Sequence, residues 1–135
     1  MKLVLDASVA VAAVRPNEPH HLRARARVDA ILTGRDELIV PAIFPIEVTS
    51  ALARRAAWAP PQIATYVARL LARPCRLVNL GVKSANASAN LAAATRLRAA
   101  DAVYVWLASK EGVVLVSSNE EILQRGSAVC QVQSP

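Results

Sequence analysis

Short aliphatic runs that alternate with helix-like segments are the feature that most constrains the fold of this chain. Runs of this kind stand at positions 2–6, 37–40 and 113–117, and each has the length of a buried strand rather than of a helix. Strands that are apolar along their whole length are typical of parallel sheets covered on both faces. The sequence therefore predicts an α/β fold with three layers, α/β/α, around a central, mainly parallel sheet of four to five strands.

The predicted elements fill the chain and leave no linker long enough to separate two domains, so residues 1–135 are expected to form a single domain. We predict strands at 2–6, 37–40, 75–80, 113–117 and 128–132. We predict helices at 7–14, 19–33, 44–58, 60–72, 84–97, 99–110 and 119–125. The second helix is expected to turn four side chains inward: Leu22, Ala26, Ile31 and Leu32.

Composition and charge restrict the class of protein and its partners. Hydrophobic residues make up 54% of the chain and charged residues 19%, which is a globular rather than a disordered composition. The formal net charge of +6 favours polyanions such as RNA as partners. However, a genome whose composition favours arginine codons would produce the same charge. No apolar run has the length of a membrane span, and Asp6 interrupts the N-terminal run that resembles a signal peptide. We therefore expect a cytoplasmic protein with no membrane association.

Several common kinds of site can be set aside. Cys75 and Cys130 have no CxxC or Cys/His spacing, so we expect no zinc site but two reduced thiols within strands. No glycine-rich phosphate loop is present, which excludes P-loop chemistry. His20 and His21 precede the second helix and are expected to be solvated.

Three acids and one amide stand where predicted strands end or predicted helices begin. Asp6 ends the first strand, and Asn119 follows the fourth. Glu47 and Asp101 lie in the first turns of helices. Ligands of open α/β sheets bind beyond the carboxyl ends of the strands, so these side chains are expected to face one rim of the sheet.

Two interpretations fit acids in these places. An acid in a first helical turn offsets the helix dipole by about 0.3–1 kcal/mol, which would explain Glu47 or Asp101 taken singly. However, both have mainly apolar neighbours, where an uncompensated carboxylate is costly, and crowded carboxylates would take up protons. A divalent cation removes both penalties, and a set of oxygen ligands favours Mg²⁺ or Mn²⁺. Such an ion could activate a water and stabilise charge on a phosphate.

Four motifs, taken in order, resemble those of the PIN domain family. They are VLDAS at 4–8, PIEV at 45–48 with AL at 51–52, ADAVYVWLA at 100–108 and LVSSN at 115–119. In length and motif order the whole chain is similar to the toxin component of VapBC toxin–antitoxin pairs. The resemblance implies a Mg²⁺- or Mn²⁺-dependent endoribonuclease. It also implies a cognate antitoxin protein as inhibitor, and a homodimer.

The resemblance also implies roles for individual residues. Asp6, Glu47 and Asp101 match the catalytic, metal-binding acids of the family. Ser8 matches a small polar residue that orients the first acid. Ser117 matches the hydroxyl residue, usually threonine, that precedes the last acid.

Asn119 is the departure from the family pattern, because the family usually has aspartate there. An amide oxygen can still bind a metal or its water, so Asn119 stays a catalytic candidate, but the ligand charge falls by one. Glu120 is the next acid, and one residue along a helix turns a side chain by about 100°. The alternative function is a catalytically weakened PIN-like domain that binds RNA or a protein.

Other residues have two interpretations each. Arg54 lies two turns beyond Glu47 and is a candidate substrate-binding residue, or simply a solvated arginine. Trp58 is expected at an interface and Trp106 in packing. A phosphatase or receiver domain that uses Asp6 as phospho-acceptor is a third function. It is disfavoured because Ser8 stands where the phosphatase would have a second acid.

Overall fold

The computed structural model describes residues 1–72 and 74–135. Its five strands form one sheet in which every hydrogen-bonded pair is parallel, in the order β3-β2-β1-β4-β5. The strands are β1 (Lys2–Leu5), β2 (Glu37–Pro41), β3 (Cys75–Val78), β4 (Val114–Val116) and β5 (Val132–Gln133). Leu3, Val4 and Leu5 of the central strand β1 have no exposed surface, as expected of a strand covered on both faces. The predicted parallel sheet is confirmed.

Helices cover the sheet and complete the three predicted layers. They are α1 (Ala7–Ala12), α2 (His21–Leu32), α3 (Phe44–Arg55), α4 (Pro60–Leu70), α5 (Val82–Thr95), α6 (Ala99–Glu111) and α7 (Glu120–Arg125). Helices α1 to α4 pack against one another, whereas α6 packs on β1, β2 and β4 and carries α5 on its outer side. No helix in the described part of the chain is both long and apolar enough to cross a membrane.

Two predicted boundaries are wrong for local reasons. The helix predicted at 44–58 ends at Arg55, because Ala57 adopts a left-handed backbone with φ of 53°. The strand predicted at 128–132 begins only at Val132, because residues 126–128 form a 3₁₀ turn after α7. Gly126 is buried in this turn, and a Cβ there would lie 3.0 Å from a methyl group of Val105.

The inward face of α2 also differs from the prediction. Leu22 is 78% exposed and Ala26 is exposed as well, whereas Ala24, Val28 and Ile31 are buried. Two residues along a helix correspond to a turn of about 200°, so Leu22 and Ala26 lie nearly opposite the buried face that carries Ala24 and Val28. Leu32 is only partly buried.

The cysteines are free thiols, each of them partly buried. Cys75 begins β3, as predicted, but Cys130 precedes β5 instead of lying in it. Burial raises the pKa of both thiols, which keeps them protonated and poorly reactive.

The topology places several chain reversals at one rim. Helix α1 begins directly after β1, and the backbone amide of Asp6 donates to the carbonyl of Val116 at 3.0 Å. Helix α3 begins three residues after β2, and α7 follows β4. The carboxyl ends of β1, β2 and β4 therefore lie side by side.

Candidate active site

A cleft of about 350 Å³ opens at this rim. The predicted site residues that line it are Asp6, Ser8, Glu47, Asp101 and Asn119. Ser117 lies beneath the cleft and is fully buried. Arg54 lines an adjoining groove, which shares Glu47 with the cleft. The structure thus brings the three predicted acids together, although they are 41 or more positions apart in the chain.

Asp6 is the most buried of the acids, with 5% of its surface exposed. Its Oδ2 accepts hydrogen bonds from Ser8 Oγ at 2.6 Å and from Ser117 Oγ at 2.8 Å. Burial raises the pKa of Asp6, and the two hydroxyl groups only partly offset this effect. Since Ser8 belongs to α1 and Ser117 follows β4, two separate elements fix the orientation of this carboxylate.

A chain of hydrogen bonds extends from these serines. Ser118 Oγ donates to Ser8 Oγ at 3.0 Å, and the backbone amide of Asn119 donates to Ser117 Oγ at 3.0 Å. The segment after β4 is therefore tied to the start of α1.

Glu47 is held by a residue that the sequence analysis did not select. Glu47 Oε1 accepts a hydrogen bond of 2.7 Å from the hydroxyl of Tyr104, which lies on α6 and has no exposed surface. Burial raises the pKa of Glu47; the hydrogen bond lowers it, and the charge of Asp6 raises it further. Burial raises the pKa of Tyr104 as well, so its hydroxyl keeps its proton and donates. The spacing of three from Asp101 was the available signal, since residues i and i+3 share a helix face.

Asp101 carries the clearest sign of an uncompensated charge. Its Oδ2 is buried and has no hydrogen-bond partner within the described residues. Burial and, to a smaller extent, the charges of Asp6 and Glu47 raise the pKa of Asp101 to about 6, and Arg98 offsets this increase only in part. A buried polar atom without a partner is rare in folded proteins, and here it lies beside two other acids.

Asn119 uses its side-chain oxygen within the fold. Asn119 Oδ1 accepts from the backbone amides of Glu121 at 2.9 Å and Ile122 at 3.4 Å, as the N-cap of α7. In this conformation the oxygen is not free to bind a metal. Glu120 is exposed and does not line the cleft. The charge of Glu121, in contrast, contributes to the raised pKa of Asp101.

Two arginines that the sequence analysis missed line the cleft. Arg55 ends α3, and Arg98 directly precedes α6; both are exposed. Relative to Glu47, helical spacing places Arg54 at about −20° and Arg55 at about +80°, so spacing alone favoured Arg54. The cleft lies on the side that Ala51 and Arg55 share.

The carboxylates of the cleft fit a divalent cation that keeps several water ligands better than a cation surrounded by protein ligands. Among the described residues, no three His, Cys, Asp or Glu side chains are close enough together to surround an ion. Mg²⁺ ordinarily keeps several waters and is held through one or two carboxylates. Acids on separate walls of an open cleft, with Asp101 Oδ2 free to bind, meet that requirement.

The family model of the PIN domain matches residues 3–127. The chain belongs to the PIN domain family. This confirms the family that the four motifs predicted. Among curated proteins, no relative of this PIN domain matches.

Solved structures of similar fold span almost the whole chain. VapC20 from Mycobacterium tuberculosis, a sarcin–ricin loop cleaving toxin, has a TM-score of 0.72 and 15% identity, with 93% of each chain covered. VapBC2 from Rickettsia felis, bound to a DNA fragment from its promoter, has a TM-score of 0.71 and 12% identity, covering 99% of this chain and 98% of that one. VapBC-1 from nontypeable Haemophilus influenzae has a TM-score of 0.68 and 17% identity, with 99% and 98% covered. At these identities the likeness establishes the fold.

Proposed function

We propose that this PIN domain is a Mg²⁺- or Mn²⁺-dependent endoribonuclease and the toxin of a toxin–antitoxin pair. One observation carries the proposal: in a single cleft the charges of Asp6 and Glu47 raise the pKa of Asp101, the charge of Asp6 raises the pKa of Glu47, and Asp101 Oδ2 has no partner among the described residues. A bound cation would relieve both the repulsion and the missing contact. The shared fold of VapC20, a sarcin–ricin loop cleaving toxin, supports the substrate class.

Each residue of the cleft has a role in this proposal. Asp6, Glu47 and Asp101 would hold the ion, which when bound supplies an activated water and stabilises charge on the phosphate. Ser8 and Ser117 keep Asp6 turned toward the cleft by their hydrogen bonds to its Oδ2.

The arginines at the rim of the cleft are suited to binding the RNA substrate. Arg55 and Arg98 are exposed at the edge of the acidic cleft, and a guanidinium group binds phosphate oxygens in a two-pronged geometry. Arg54 would contact the next phosphate along the adjoining groove. The net charge of +6 increases the local concentration of RNA.

Protein partners form a further part of the proposal. The VapBC structures of this fold pair a VapC with a VapB, which supports a cognate antitoxin here. The resemblance to VapC toxins implies a homodimer, which we include in the proposal. Tyr66 is not available for an interface, because it is buried and packs edge-on against the half-buried Trp58. Light scattering at micromolar concentration should give the mass of two chains, and the mass of one chain would remove the homodimer.

A second candidate is a PIN domain that binds RNA or a protein with little turnover. The observation that favours it is the position of Asn119, whose oxygen caps α7 and leaves three acids in the cleft.

RNA cleavage under metal control separates the two candidates. Purified protein should cut single-stranded RNA with Mn²⁺ or Mg²⁺, and excess EDTA should stop the reaction. Asp6→Asn and Asp101→Asn should each lower the rate at least about 100-fold, because loss of an outer-shell partner alone costs about 10–100-fold. Asp29→Asn is the matched control, since Asp29 is an exposed carboxylate on α2 outside the cleft. Metal-dependent RNA binding without cleavage would favour the second candidate, and equal activity in all variants would remove the site.

A further inference from the structure

We propose that Tyr104 is a positioning residue that fixes Glu47 for metal binding, an inference that rests on the proposed function. The contact joins two distant elements, since α6 provides Tyr104 and α3 provides Glu47, 57 positions apart. The hydroxyl and Glu47 Oε1 are 2.7 Å apart. The other carboxylate oxygen, Oε2, stays available to an ion or its water.

The surroundings of Tyr104 are those of a core position, and its hydroxyl is the exception. Neighbouring residues Val103, Val105 and Leu107 are buried and aliphatic, so a phenylalanine would fill the same space. A buried hydroxyl without a partner is costly, and within the described residues the partner of this one is Glu47. The hydroxyl oxygen of Tyr104 therefore contributes to holding the Glu47 carboxylate rather than to packing of the core.

The three acids differ in how they are held. Asp6 has two serine hydroxyl groups, Glu47 has the tyrosine hydroxyl, and Asp101 has a free buried oxygen. Without Tyr104, the longest and most flexible of these side chains would have no hydrogen bond from a described residue to fix it. Because Tyr104 lies one turn after Asp101 in α6, the same rigid helix supplies one acid and sets the place of another. Outer-shell partners of this kind orient metal ligands.

Tyr104→Phe tests the inference, because the change removes one oxygen atom and keeps the ring. Mn²⁺ affinity, measured by titration calorimetry without RNA, should fall about 10-fold or more. Tyr66→Phe is the matched control. Tyr66 is also buried, and its hydroxyl donates at 2.7 Å to the carbonyl of Ala10, outside the cleft. Both variants lose one buried hydrogen bond and should melt at similarly lowered temperatures, but the control should keep its Mn²⁺ affinity.

Glu47→Ala, alone and combined with Tyr104→Phe, separates failure of this inference from failure of the proposed function. Glu47→Ala should weaken Mn²⁺ binding, and adding Tyr104→Phe should weaken it no further. If Tyr104→Phe binds Mn²⁺ like the unmodified protein while Glu47→Ala does not, the positioning role is wrong and the metal site stands. An additional loss in the double variant would also overturn the role. If the unmodified protein does not bind Mn²⁺, the proposed function fails and the inference fails with it.

The rise in melting temperature on adding Mn²⁺ gives a second measurement of the same affinities. This rise should be smaller for Tyr104→Phe than for Tyr66→Phe at equal Mn²⁺. Equal rises in the two variants would contradict the positioning role.

Discussion

Two concavities of this PIN domain differ in how their polar groups are satisfied. The groove between α2 and α4 is the larger, with a volume of about 690 Å³, against about 350 Å³ for the acidic cleft. In the groove, the hydroxyl of Tyr66 and Nδ1 of His21 are hydrogen-bonded to backbone carbonyls at 2.7 and 2.8 Å. In the cleft, the charges of Asp6 and Glu47 raise the pKa of Asp101, and an oxygen of Asp101 has no partner among the described residues.

Uncompensated charge, rather than a large volume, therefore distinguishes the candidate active site from the groove. A protein of this size keeps only a small net stability, so a cluster of repelling acids is retained at a cost to the apo fold. Perturbed carboxylates in a cleft are a recognised signature of functional sites. In the groove, in contrast, the hydroxyl of Tyr66 and the imidazole of His21 have hydrogen-bond partners within the fold.

Among the comparisons between cleft and groove, the largest expected effect comes from removing arginines in matched pairs. Arg55→Ala with Arg98→Ala should lower kcat/KM for RNA about 10–30-fold, because each exposed arginine–phosphate pair contributes about 0.7–1 kcal/mol. Arg25→Ala with Arg69→Ala removes the same charge from the groove and should leave cleavage nearly unchanged. Steady-state cleavage at fixed ionic strength makes the comparison. Equal losses in both pairs would mean that only net charge matters.

Asn119→Asp should have an intermediate effect. One carboxylate oxygen can keep the cap of α7, since aspartate is as good an N-cap as asparagine, and the other oxygen replaces the amide nitrogen at the cleft. An added charge near a hydrated ion is worth about 1 kcal/mol, so Mn²⁺ affinity and cleavage should rise about 5-fold. Both are measured across a Mg²⁺ or Mn²⁺ titration. If activity stays equal or falls at every metal concentration, position 119 is not a deficient ligand.

The smallest expected effect is on the stability of the metal-free protein. Folding raises the pKa of Asp101 from 3.8 to about 6, so the folded state binds the proton more tightly. Stability from this group is therefore lost as pH rises from about 4 to about 6. At pH 7.5, Asp101→Asn should melt roughly 2–4 °C higher than the unmodified protein, for about 1 kcal/mol of repulsion removed. The gain should shrink toward pH 4, and Asp29→Asn should show none. A gain that is independent of pH would contradict this explanation.

Much of the fold could be predicted because the strands are aliphatic and the acids follow them directly. What escaped prediction depends on which neighbour each side chain meets. Leu22 is apolar but lies on the exposed side of α2, whose buried side carries Ala24 and Val28. Helical spacing from Glu47 favoured Arg54, whereas Arg55 lines the cleft, because the turn of α3 relative to the cleft is set by tertiary packing. Tyr104 looked like one more apolar position in α6, and only the path of α3 brings Glu47 to its hydroxyl.

The central place of β1 has a consequence for how this chain is synthesised. Strand β1 pairs with β2 on one side and, on the other, with β4, which comes far later in the chain. The hydrogen bond from Ser117 to Asp6 spans 111 positions. Closing such long loops makes folding slow, and a nascent or prematurely terminated chain that stops before position 117 lacks part of the support for Asp6. The cleft is therefore completed only after the segment that follows β4 has been synthesised, and products that stop before position 117 are expected to be inert.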